Sequence, residues 1–126
     1  TYYQSWEDLS LTIQNIIQRE RGDARVAIHT VELDTTKNPG DHSDHRLTAQ
    51  MANQATADIC ADYYRYVTYH SRNLDKNLSA DKEQIKKFLF SANALAKEKA
   101  GYDSPWEPVH LSWTSRAYWS KQSCDN

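Results

Sequence analysis

Residues 42–74 read HSDHRLTAQMANQATADICADYYRYVTYHSRNL, with no glycine or proline among them. Leu47, Met51, Ala55, Ile59, Tyr63, Val67, His70 and Leu74 recur in steps of three and four residues, which fit one stripe of an α-helix. Alanines at 49, 52, 55, 57 and 61 favour helix and let neighbouring helices approach closely. As one helix from Asp44 to Leu74, the stretch would be roughly 45 Å long at about 1.5 Å rise per residue. A rod of that length in a chain of 126 residues would have to be its central pillar. The expected fold is therefore mainly α. It is a small helical bundle around one long central helix, a single domain over residues 1–126, closed by a Trp-rich C-terminal strap.

Upstream of this stretch, Ser5 suits an N-cap, with Glu7 and Asp8 in the first turn, where the helix dipole favours negative charge. Trp6, Leu9, Ile13, Ile16 and Ile17 follow at helical spacing, and Gly22 suits the position just past the end. The pattern predicts a helix over about 6–21. Residues 24–33, ARVAIHTVEL, are β-branched and read either as strand or as helix. As a strand the segment needs a partner, and the only other strand-like run is Val109–Trp113, so a short two-stranded element is one option. DTTKNPGDHSD (34–44) is a loop by its turn residues, with Asp41 or Ser43 as the N-cap of the long helix.

Downstream, Ser79 restarts a helix. Ile85, Phe88, Leu89, Ala92, Leu95 and Ala96 form its apolar stripe, and Gly101 follows its end. The tail beyond Tyr102 is aromatic, with Trp106, Trp113 and Trp119 placed to hold a strap over the bundle.

The formal charge of −2 disfavours binding to polyanions, and no nucleic-acid motif is present, so nucleic acid is not an expected partner. No apolar run approaches the roughly 18 residues of a membrane span. The chain opens at Thr1 without a signal-like segment, which reads as a mature secreted product or an excised domain. Its two cysteines, Cys60 and Cys124, are expected to form a disulfide, which implies a secreted or periplasmic location.

Chemistry-bearing clusters are few. His42 and His45 stand three apart beside Asp41 and Asp44, and would share a metal ion if other ligands joined them. The bland reading of that cluster is a helix-capping loop. Tyr63, Tyr64, Tyr66 and Tyr69 with Arg65 and Arg72 offer more tyrosine than one buried stripe can use. Tyr64, Arg65 and Tyr69 are the expected partner contacts, because such side chains combine large contact area with a polar tip. No GxSxG, P-loop, HExxH or GxGxxG motif occurs, and no cofactor is implied.

The leading expectation is a non-catalytic extracytoplasmic module that binds another protein. An inhibitor, an immunity protein against a toxin, or a phage or envelope regulator would fit, and a homodimer is compatible. A helical extracytoplasmic ligand-sensing domain and a metal-dependent enzyme using His42 and His45 are the rivals.

Overall fold

A computed structural model describes residues 2–103 and 108–124, and in it the stretch 42–74 is not one helix. It divides into a helix over Ser43–Ala55, a strand over Ala61–Tyr66 and a 3₁₀ turn over Tyr69–Asn73. The expected mainly-α bundle around a long central helix gives way to a mixed α/β fold. The helix ends without glycine or proline because Thr56 ends it. Its hydroxyl donates back to the Ala52 carbonyl at 2.6 Å and meets the Tyr63 hydroxyl. The chain then turns through Ala57 N–H to Gln54 O and Ile59 N–H to Thr56 O. The continued step of four through Ile59, Tyr63 and Val67 misled, since of the three only Tyr63 lies in the strand and the others flank it.

The described residues group into two compact units. The first comprises the chain up to Thr68 together with the segment from Trp119 on. It contains helix α1 (Trp6–Arg21), strand β1 (Val26–Val31), helix α2 (Ser43–Ala55), strand β2 (Ala61–Tyr66) and, from the tail, strand β3 (Trp119–Gln122). Helix α1 matches its expected bounds, with Ser5 Oγ accepting from the Asp8 N–H at 3.1 Å and Gly22 at a positive φ. The sheet order is β1-β2-β3. β1 and β2 are parallel, joined through α2, and β2 and β3 are antiparallel. The segment 24–33 is thus strand over Val26–Val31, and its partner is β2. The alternative partner, 109–113, is helical instead.

Helix α2 packs on β1, and α1 packs on α2. The apolar residues buried here are few, and three of them are alanines: Ala49, Met51, Ala55, Ile59 and Ala61. Polar groups complete the interior. Asn38 is 1% exposed, and its carboxamide spans three segments. It donates to the Glu32 carbonyl at 3.3 Å and to Asp41 at 3.0 Å, and accepts from the Thr68 N–H at 3.1 Å. A disulfide joins Cys60, at the foot of β2, to Cys124, just past β3, with Cα atoms 5.4 Å apart.

The second unit, Tyr69–Tyr118, holds the 3₁₀ turn, helix α3 (Ala80–Lys99) and helix α4 (Pro108–Thr114). Polar wiring organises it. Asn77 brackets Ala117, donating to its carbonyl at 2.7 Å and accepting from its N–H at 2.8 Å. Lys86 donates to the carbonyls of Trp113 and Arg116. That sets a cation at the negative end of α4, and burial pulls the Lys86 pKa down.

The expected Trp-rich strap is likewise corrected. Trp113 lies in α4 against Tyr69, and Trp119 opens a strand. Trp106 lies outside the described residues. The stripe of α3 is corrected too: Ile85, Phe88, Leu89 and Leu95 point outward, and Ala94 is the buried residue of that helix.

Candidate functional site

Strand alternation gives the small sheet two unlike faces. Tyr63 turns toward α2, where its hydroxyl meets Thr56. Arg65 shares that face, with its guanidinium over the Tyr63 ring and a hydrogen bond to Gln122 at 2.8 Å. The opposite face carries Asp62, Tyr64 and Tyr66 of β2. The register adds His29 beside Tyr64, Lys121 on its other side, and Trp119 across from Tyr66.

These side chains form one aromatic row. The His29 ring lies nearly parallel to Tyr64, with centroids 4.7 Å apart, and to Tyr66 at 5.8 Å. The Tyr66 hydroxyl fixes the imidazole through a 2.7 Å hydrogen bond to its Nδ1. Trp119 leans on Tyr64 at 5.7 Å, and the Lys121 ammonium sits 5.4 Å from the Tyr64 centroid. The row is open to solvent, with Trp119 54% and Tyr66 36% exposed.

Charge borders the row at one end. Asp62 meets Arg25 at 2.6 Å and Lys121 at 3.3 Å, and accepts from the Cys124 N–H at 3.2 Å. Burial pushes the Asp62 carboxyl up, but the donors from Arg25, Cys124 and Lys121 outweigh it and hold the carboxyl below its ordinary value. The same pairing, led by the hydrogen bond to Asp62, holds Lys121 above its ordinary value. The disulfide therefore anchors the strand that supplies Trp119 and Lys121.

At the edge of the sheet, β1 and α2 bound a groove of about 500 Å³. Residues 27–31 of β1 form one wall, and His45, Thr48, Ala49 and Ala52 of α2 form the other. His45 is aimed by a fully buried carboxylate, since Asp41 Oδ1 accepts from its Nδ1 at 2.8 Å. Burial raises the Asp41 pKa, but hydrogen bonds from His45, from the backbone of His42 and from Thr68 overcome it and leave the carboxyl below its usual range. The His42 and His45 rings lie 5.3 Å apart. Among the described residues, no group of three or more His, Cys, Asp or Glu side chains converges as a ligand set for a metal ion.

Of the three expected contact residues, Tyr64 sits in the aromatic row. Arg65, its neighbour in sequence, is on the opposite face of the strand. Tyr69 belongs to the second unit, where its ring meets Trp113 edge-on at 5.5 Å. Sequence reasoning passed over His29, Trp119 and Lys121 as members of this site. Their signal was the strand alternation of VAIHTV and WSKQ, and each was too short and too far from its partner to be read alone. Neither a protein-family model, nor a curated protein, nor a solved structure matches this chain.

Proposed function

We propose that the chain is a non-catalytic protein-binding module of an oxidising, extracytoplasmic compartment, and that it engages its partner through the open face of the sheet. The observation that carries the reading is the row of half-buried Tyr64 with exposed His29, Tyr66 and Trp119, bordered by Lys121, Arg25 and Asp62. Exposed aromatics with charged neighbours on a rigid element are the usual substance of protein hot spots. The His29 ring stacks on Tyr64 and Tyr66 and binds the Tyr66 hydroxyl, so much of the ring surface of these three is spent within the chain. A base-stacking surface needs open ring faces, and the net charge of −2 also argues against a polyanion. The disulfide supports an oxidising location. No helix among the described residues is long and apolar enough to cross a membrane.

The test does not require the partner to be identified. Random peptides displayed on phage are selected on the oxidised protein, and the enriched peptides are titrated against variants checked for folding by circular dichroism. Tyr64→Ala and Trp119→Ala should each weaken binding by about tenfold or more, a loss of roughly 1.4 kcal/mol. Arg65→Ala, on the other face, should leave it unchanged. Peptides that bind all three variants like the parent would overturn the reading, as would a selection that enriches none.

The groove between β1 and α2 supports a second reading, a small-ligand sensor, because its volume suits a small molecule and a buried carboxylate orients one of its histidines. That reading predicts a rise in melting temperature with a ligand, abolished by Thr48→Trp, which fills the groove from an exposed position.

A further inference from the structure

Helix α3 turns its hydrophobic side outward. Ile85, Phe88, Leu89 and Leu95 are 61, 73, 61 and 53% exposed. The side that packs within its unit is different: Ala94 is buried, Phe90 lies against His110 at 5.4 Å, and Lys86 reaches the end of α4. A contiguous exposed apolar stripe on one helix marks an interaction surface, unlike isolated exposed residues.

The order of residues along this stripe identifies what fits it. Asp81, Ile85, Phe88, Ala92, Leu95 and Lys99 are spaced 4-3-4-3-4, the seam of a heptad helix. That spacing reads the same in both directions, with its centre at position 90. Laid antiparallel on a second copy about a two-fold axis at that centre, the stripe complements itself. Ile85 meets the other copy's Leu95. Phe88 meets the other copy's Ala92, large against small. Asp81 meets the other copy's Lys99 at both ends. A parallel pair would instead oppose Asp81 to Asp81, Lys99 to Lys99 and Phe88 to Phe88. The ion pair within α3 among the described residues joins Glu83 and Lys87 at 2.7 Å, off this seam.

We propose that this face binds a second copy of the chain, as an antiparallel two-helix interface with Phe88 packed on Ala92 and the Asp81–Lys99 charges closing both ends. The occupant is chosen by charge complementarity: the seam carries opposite charges at its two ends, and a copy laid antiparallel satisfies both where a parallel copy satisfies neither.

Sedimentation equilibrium on the oxidised full-length chain, at low salt and over a wide concentration range, tests it. The parent should pass from monomer to dimer. Phe88→Ser should remain monomeric, and because Phe88 is exposed its circular dichroism should be unchanged. Asp81→Lys and Lys99→Asp each place like charges at both ends, and should weaken the dimer by about tenfold. The double variant Asp81→Lys/Lys99→Asp should restore the parent's affinity, an outcome that mere structural damage would not give. A parent that stays monomeric at near-millimolar concentration overturns the proposal. So does a dimer indifferent to the single charge changes, or one not restored by the double change. Binding of a monomeric parent to phosphatidylcholine–phosphatidylglycerol vesicles, lost in Phe88→Ser, would assign the face to lipid and overturn it as well.

Discussion

Removing the Cys60–Cys124 bond should cost the first unit a large share of its stability. The two residues are 64 apart in sequence. Cross-linking a loop of that size lowers the entropy of the unfolded chain by about 14 cal/mol/K, or about 4 kcal/mol at 25 °C. Small domains are stable by about 5–15 kcal/mol in all. The fully buried apolar residues of this unit are mostly alanines, which contribute little burial each. The bond is therefore set against a thin core. The double variant Cys60→Ala/Cys124→Ala avoids leaving thiols that could re-pair. With a urea dependence of about 2 kcal/mol per molar, its unfolding midpoint should fall by about 2 M. Tryptophan fluorescence reads the transition, since Trp6 and Trp119 both lie in this unit. Hydrogen exchange adds a local readout. All four residues of β3 are exposed, so amides of β3 should lose protection before those of β1. A midpoint within about 0.5 M of the parent would refute the reasoning, because residual contacts would then already hold that loop closed in the unfolded chain.

Three further outcomes concern the polar groups. Asn38→Ala strips partners from Glu32, Asp41 and Thr68 at once, and should destabilise by about 3 kcal/mol in urea unfolding; a loss under about 1 kcal/mol would mean the hub is not shared. The depressed carboxyl of Asp62 favours the folded state above the unfolded-chain value near pH 4. That contribution is lost as pH falls below about 4 toward the folded value. The melting temperature of the parent should accordingly drop more steeply below pH 4 than that of Asp62→Asn, and parallel curves would contradict it. In the second unit, Asn77→Ala removes both bonds to Ala117, and should cost about 1–2 kcal/mol and speed exchange of the Ala117 amide. An unchanged Ala117 amide would show that the bracket is dispensable.

The parts of the fold legible in the sequence were those whose signals are local. Helix α1 announced itself through Ser5, two acidic residues in its first turn and Gly22, and α3 through Ser79 and Gly101. The disulfide was legible because two cysteines admit one pairing. The sheet was not, since each of its strands draws its stability from a partner remote in sequence: Val26 pairs with Ala61, and Tyr66 with Trp119. The residues ADYYRY, with three tyrosines in four positions after Asp62, carried strand propensity. The alanine-rich helix before them and an even spacing hid it. The site followed the same rule. Tyr64 stood out as a surplus aromatic, whereas His29 and Trp119 gained meaning only from the register that brings them to it. The outward turn of the α3 stripe was invisible, because periodicity reports that a helix has an apolar side and not what lies against it.

Residues 69–118 leave the first unit after Thr68 and return at Trp119, directly beside β2. They are flanked by the two arms of one antiparallel strand pair, β2 and β3, with Tyr66 paired to Trp119. The whole second unit is thus an insert in place of a hairpin turn. Such a socket is indifferent to what it carries, because strand pairing and the disulfide hold its two rims together and loop length adds only a slowly growing entropic cost. Lengthening or trimming the insert should therefore leave the pairing of Tyr66 with Trp119 in register.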